Sequence, residues 1–170
     1  MIKNIIFDFD GVIVESLDIK TKAFAEIFKE YGDDVVRKVV AYHKSHGGVS
    51  RYDKFRYYYD SIICKSLTKK VFNNLCSVFS SIVVDQVVQC PYVPGIKEFL
   101  NDNHTRYNFF IVSGTPDSEI KEIVKRRKID SFFRGVFGSP NTKEIWVKKI
   151  LEKSDIDFTE TIFVGDAMSD

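Results

Sequence analysis

The chain has 170 residues, enough for one domain with a sizeable core or a core carrying a small insert. It is 44% hydrophobic, and 25 basic against 24 acidic residues leave a net charge of +1, which gives no electrostatic reason to expect nucleic acid or an anionic membrane as partner. Cys64, Cys76 and Cys90 show no metal or redox spacing and read as reduced thiols of a cytoplasmic protein; no signal-peptide core and no bilayer-spanning stretch is expected.

Ile2, Ile5, Ile6 and Phe7 predict a short strand buried on both faces, as in the middle of a parallel sheet. It runs into Asp8-Phe9-Asp10-Gly11. Strand side chains alternate faces, so Asp8 and Asp10 can point the same way, and Gly11 allows a sharp exit. Two carboxylates at the end of a buried strand carry a desolvation penalty, which a divalent cation would relieve.

After a linker over 12–18, four helical patterns follow. Ala23, Phe24, Ile27, Phe28 and Tyr31 share one face and Gly32 ends the helix; Val35, Val36, Val39, Val40 and His43 repeat the pattern up to Gly47-Gly48. Ser50 is the expected N-cap of a third helix with Tyr52, Phe55, Tyr59 and Ile62 inward. Thr68 caps a fourth, with Val71, Leu75, Val78 and Ile82 inward; 82–88 reads equally as helix or strand. His43 and His46 lack a metal-ligand partner, and Tyr57-Tyr58-Tyr59 reads as packing.

Cys90-Pro91-Tyr92-Val93-Pro94-Gly95 is a return linker. Strand and helix then alternate: a strand over 107–112; a helix opened by Thr115 as N-cap and Pro116; a short strand at Val136-Phe137; a helix capped by Asn141 with Glu144 three residues on; and a strand over 161–164 ending in Gly165-Asp166. The basic run 125–128 falls at a helix end, where cations suit the helix dipole. This alternation predicts an α/β, Rossmann-like parallel sheet with helices on both faces and its ligand at the strand C-termini.

Those strand ends deliver Asp8 and Asp10, Ser113, Lys143, and Asp166 with Asp170. A carboxylate can attack phosphorus, a second can exchange protons with leaving group and water, and a hydroxyl, amides and a lysine can hold phosphate oxygens. With these motifs (Asp8-Phe9-Asp10-Gly11-Val12, Val112-Ser113-Gly114-Thr115, Lys143 after Gly138-Ser139-Pro140, and Gly165-Asp166 through Asp170) the chain resembles the haloacid dehalogenase superfamily, in its phosphoglycolate phosphatase and β-phosphoglucomutase-like branch. The resemblance implies an α/β core over 1–16 and 89–170 with an α-helical cap inserted over 17–88. It implies Asp8 as nucleophile, Asp10 as general acid/base, Ser113 and Lys143 on the phosphoryl group, and Mg²⁺ held by Asp8, the Asp10 carbonyl, Asp166 and Asp170. Gly114 falls in the same substrate-binding segment. Family members continue with a further strand and helix, which the resemblance implies are missing here, leaving Asp170 at a terminus and the sheet edge open.

The segment 46–51 is similar to the Gly-Val-Ser-Arg segment of β-phosphoglucomutase-like caps, which makes Arg51 a candidate for a distal phosphate or carboxylate. The alternative reading is an exposed arginine at a helix start. Mutases of that type carry histidine where this chain has Lys20, which counts against mutase activity and leaves Lys20 as a solvated side chain or an anion contact from the hinge. The leading expectation is a Mg²⁺-dependent phosphatase on a small phosphorylated metabolite, with a sugar-phosphate mutase or a non-catalytic regulatory protein as alternatives.

Overall fold

The computed structural model describes residues 1–153 and 156–167. Among these residues, four parallel strands form one sheet in the order β3-β2-β1-β4: β1 Asn4–Phe7, β2 Asn108–Pro116, β3 Phe133–Ser139 and β4 Thr161–Val164. The first strand lies in the middle, and all four of its residues are buried, as its unbroken apolar run predicts. Alternation sends Ile5 and Phe7 to one face with Phe109 and Ile111, and Ile6 to the other with Phe110 and Val112.

Among the described residues, seven α-helices accompany the sheet: α1 Leu17–Phe28, α2 Asp33–Ser45, α3 Arg51–Tyr57, α4 Lys69–Gln89, α5 Ile96–Asn103, α6 Asp117–Arg126 and α7 Lys143–Lys153. Ile150 of α7 covers the Ile6 face, while Leu100 of α5 and Ile120 and Ile123 of α6 cover the other. The segment between β1 and β2 is helical as far as Gln89, with a π-helical turn, Tyr58–Ile63, after α3. Its core is aromatic: Phe24 lies 4.5 Å from Phe79 and 5.6 Å from Tyr58, ring centre to ring centre. These rings form one continuous cluster with the Phe7 face of the sheet.

Gly32, at φ 90°, ends the first helical stretch as expected. Ser50 and Thr68 accept from the backbone N–H three residues on, the N-cap bonds read from the sequence. Tyr58 and Tyr59 are buried packing residues.

Several expectations are corrected. The ambiguous stretch 82–88 continues α4, whose buried face is Leu75, Phe79, Val83 and Val87, while Val78 is exposed. With 21 residues and an 18-residue window of mean hydropathy 1.4, α4 is long and apolar enough by length and composition to cross a membrane, contrary to the expectation that no stretch would be; its buried face packs into the common core. Between the return linker and β2 the chain forms α5, a helix not among those predicted. The second strand runs on to Pro116, which is itself the N-cap of α6, so Thr115 is not a cap. The cap of α7 is Thr142, whose Oγ1 accepts from the Ile145 N–H at 3.3 Å, one residue after Asn141. In the basic run, Arg127 donates to the carbonyls of Val87, Val88 and Cys90, so its charge serves the end of α4 rather than of its own helix.

Candidate functional site

At the C-terminal edge of the sheet a cavity of about 700 Å³ opens between the strand ends and α1, α2 and α3. Asp8, Asp10, Gly114 and Asp166 line it from the sheet side, and Lys20, His43, Arg51 and Lys54 from the helices. The sequence candidates Asp8, Asp10, Lys20, Arg51, Gly114 and Asp166 are thus brought to one cavity. Ser113 and Lys143 reach it through bonds to neighbours, and Asp170 lies outside the described residues.

Asp8 follows the last residue of β1 and is 2% exposed. Its Oδ1 accepts from the Phe9 N–H at 2.6 Å and its Oδ2 from Lys143 Nζ at 2.7 Å. Burial pushes its carboxyl up to about 6, against the opposing pull of Lys143. Lys143 opens α7, and its ammonium reaches the central strand because α7 packs on that face of the sheet.

Asp10 is held from three sides. Its Oδ1 accepts from the Ser16 hydroxyl at 2.5 Å; its Oδ2 accepts from Lys20 Nζ at 2.5 Å and from the Thr115 hydroxyl at 3.2 Å. Burial alone would raise its pKa, but Lys20 and the two hydroxyls outweigh it and hold the carboxyl below the ordinary range. Lys20 also donates to Thr115 Oγ1 at 2.8 Å, so it is a partly buried member of the site rather than a solvated side chain.

Two glycines are required here. Gly11 sits at φ 77°, and a Cβ there would lie 2.5 Å from Asp166 Oδ2, so the turn after Asp10 leaves room for that carboxylate. A Cβ on Gly114 would lie 2.4 Å from the Gly48 carbonyl oxygen, so the strand end and the loop before α3 meet backbone to backbone. The β2–β3 register breaks between Val112 and Pro116, where Ser113, Gly114 and Thr115 leave regular pairing. Ser113 is buried there, and its Oγ accepts from the Thr115 N–H at 3.1 Å, which orients its hydroxyl.

Arg51 is buried rather than exposed. It donates to Glu119 of α6 and, at 2.9 Å, to Ser80 of α4, and its guanidinium lies 4.4 Å over the Phe79 ring. Glu119 also accepts from Ser80 at 2.7 Å. The cavity thus meets a guanidinium whose charge is already matched.

Residues 43, 54, 16 and 115 are site members that the sequence reading did not assign. Lys54, 3% exposed, sets its Nζ 2.9 Å from His43 Nδ1, and His43 is 8% exposed. Burial and, next, the charge of Lys20 push the Lys54 ammonium down to about 7; burial and then Lys54 push His43 down to about 3. The missed signal was helical spacing: Arg51, Lys54, Phe55 and Tyr58 fall at i, i+3, i+4 and i+7, so both cations share the inward stripe with the aromatics.

The donors suit a small, hard dication. The carboxylates of Asp8 and Asp166 and the backbone carbonyl at Asp10 are all oxygen ligands, and Mg²⁺ is commonly held by one or two carboxylates together with a substrate phosphate and water. Among the described residues no three acidic, His or Cys side chains close on one point. The burial that lifts Asp8 is the penalty that such a cation would relieve.

A sequence model of the haloacid dehalogenase-like hydrolases matches residues 5–170. A comparison with curated proteins finds no match. Among solved structures, β-phosphoglucomutase from Clostridium difficile superposes with TM-score 0.78 at 19% identity, covering 98% of this chain and 77% of that one. A predicted phosphoglycolate phosphatase from Haemophilus somnus gives TM-score 0.73 at 20% identity, with coverage of 99% and 79%. CbbY from Rhodobacter sphaeroides, in complex with phosphate, gives 0.73 at 15%, with coverage of 99% and 80%. At these identities the likeness to solved structures concerns the fold.

Proposed function

The chain belongs to the haloacid dehalogenase-like hydrolase family, and from that premise we propose that it is a Mg²⁺-dependent phosphatase acting on a small phosphorylated metabolite through an aspartyl phosphate on Asp8. The observation that carries this reading is the pair at the end of β1: Asp8 buried and oriented by Lys143 and the Phe9 amide, with Asp10 on the same cavity. Asp8, Asp166 and the Asp10 carbonyl would hold Mg²⁺, which supplies positive charge against the phosphate oxygens. Asp170, the fourth metal ligand that the resemblance implies, remains part of this proposal.

A carboxylate oxygen of Asp8 attacks phosphorus in line and the P–O bond to the leaving alcohol breaks. Asp10 gives that oxygen its proton. In the resting site Lys20, Ser16 and Thr115 favour the ionised form of Asp10; the incoming phosphate charge opposes them and favours the protonated form. Asp10, now a carboxylate, takes a proton from water as that water attacks phosphorus, which frees Asp8 and releases phosphate. Lys143 and the Ser113 hydroxyl hold non-transferring oxygens.

We further assign residues 1–16 and 89–170 to the catalytic core and 17–88 to a cap that carries substrate choice and excludes water when closed. The Gly48–Gly114 contact supports a closed arrangement, and the two connections meet at the Val14–Tyr92 bridge. The unpaired thiols support a reducing, cytoplasmic setting. The mutase reading leans on Arg51 as a distal-phosphate contact, and the Glu119 and Ser80 bonds weaken it.

Phosphate release from a panel of phosphomonoesters, with Mg²⁺ or with EDTA, tests the proposal. Release that needs Mg²⁺ and disappears in Asp8→Asn supports it. No release, with isomerised sugar phosphate as product, would replace it with the mutase; ligand binding without any turnover would replace it with a regulatory role.

A further inference from the structure

Among the described residues, Lys54 is a buried cation of the cavity whose chemistry the reaction above does not use. Lys143 is bonded to Asp8, Lys20 to Asp10 and Arg51 to Glu119, so each of those cations has a carboxylate. The Lys54 ammonium is as buried as any of them, yet its hydrogen-bond partner is the imidazole of His43. A buried ammonium without a counter-ion is costly, and folded proteins rarely keep one without a use. Nor is the position accidental: Lys54 is held by α3, His43 by α2, and Phe24 supports both, its ring 5.9 Å from the Lys54 ammonium and 4.8 Å from the His43 ring. With Nδ1 accepting from Lys54, the neutral His43 ring carries its proton on Nε2, so the pair presents donors only.

We propose that Lys54, seated on His43 in the roof of the cavity, receives a second anionic group of the substrate, so that the chain acts on small phosphomonoesters carrying a carboxylate or a further phosphate at the end away from the reacting one. The inference rests on the phosphatase reading for the reacting phosphate, which Lys143, Ser113 and the strand-end amides already serve at the floor. The cavity, about 700 Å³, is far larger than a phosphate group and extends from that floor to the two helices carrying His43 and Lys54. Arg51, the cation that the sequence offers for this role, is neutralised by Glu119, whereas the buried Lys54 is bonded to the His43 ring. The free site pushes the Lys54 ammonium down to about 7, so an arriving anion both restores its charge and is held by it.

The test compares three substrates of similar length: propyl phosphate, β-carboxyethyl phosphate and trimethylene bisphosphate. The wild-type protein is expected to favour at least one doubly anionic ester over propyl phosphate in kcat/KM by about 10- to 100-fold, the range of a hydrogen bond to a charged group. Whichever is favoured tells a carboxylate from a phosphate. Lys54→Met is expected to collapse that preference, mostly through KM, and Lys54→Arg to retain part of it. Removing an unmatched buried charge should leave Lys54→Met at least as heat-stable as the wild type. Equal kcat/KM for all three esters, or an equal loss on all three in Lys54→Met, would overturn the proposal, the latter by placing Lys54 on the reacting phosphate. If the wild type hydrolyses none of them, the phosphatase reading fails separately. Calorimetric binding of trimethylene bisphosphate then decides: tighter binding to wild type than to Lys54→Met upholds the anion site, and equal binding overturns it.

Discussion

Replacing Arg51 by Met separates a structural arginine from a substrate-binding one. The Arg51 and Glu119 side chains are 4% and 9% exposed, and the pair joins α3 to α6 with Ser80 bonded to both. Removing one partner of a buried pair strands the other's charge, which costs about 3–5 kcal/mol. The guanidinium over Phe79 adds up to about 2 kcal/mol where desolvated. Against a total stability of roughly 5–15 kcal/mol for a domain, the single variant loses about a fifth or more. Urea denaturation should show a lower midpoint with an unchanged m-value. Arg51→Met with Glu119→Leu, which removes both charges, should recover most of the loss, giving a coupling energy of about 3 kcal/mol. Stability within about 0.5 kcal/mol of wild type in Arg51→Met, together with a raised KM, would refute this reasoning and return Arg51 to the substrate.

The remaining predictions concern the carboxylates and the closed contact. The Asp8 pKa of about 6 lies above its ordinary 3.8, so the folded state holds a proton that the unfolded state has released. In EDTA, stability therefore falls as pH rises from about 4 to about 6, by about 3 kcal/mol at roughly 1.4 kcal/mol per pH unit, and a flat denaturation profile across that window would contradict it. Mg²⁺ at pH 7 should raise the melting temperature of the wild type more than that of Asp8→Asn. Lys20→Met removes the main charge holding Asp10 ionised, so the alkaline limb of the kcat/KM profile, which reports Asp10 as proton donor, should move to higher pH; an unmoved limb would mean that Asp10 does not titrate in the reaction. Gly114→Ala sets a Cβ against the Gly48 carbonyl, and the displaced loop should lower kcat/KM on the order of 100-fold with a stability loss of about 1–3 kcal/mol, read by steady-state kinetics and urea melts.

The parallel sheet and the Asp8–Asp10 centre were legible because they are written locally. An apolar run followed by alternating carboxylates and glycine constrains both burial and direction within a few residues, and β1 has the expected place at the middle of the sheet. Helix caps at Ser50 and Thr68 were legible for the same reason. What escaped was long-range. Thr115 reads as a cap from its own neighbours, and only the meeting of β1, α1 and β2 gives its hydroxyl to Asp10. Arg51 looks available until α6 brings Glu119 to it across 68 residues. Lys54 reads as one more surface lysine of a charged helix; its burial follows from the rotation of α3 that the aromatic core of Phe24, Phe28 and Phe79 imposes. The stretch 96–103 does carry a helical signal, Ile96, Phe99 and Leu100 at i, i+3 and i+4, but it is short, and only Leu100 is buried.

The most direct test of the account is to trap the phosphorylated protein. Wild type mixed with a hydrolysed phosphomonoester and Mg²⁺, quenched in acid within one turnover and digested, should give the peptide containing Asp8 heavier by one phosphoryl group, and hydroxylamine should remove the addition, as it does for an acyl phosphate. Turnover with an unmodified Asp8 peptide, or a phosphoryl group that persists in Asp8→Asn, would contradict nucleophilic attack by this carboxylate.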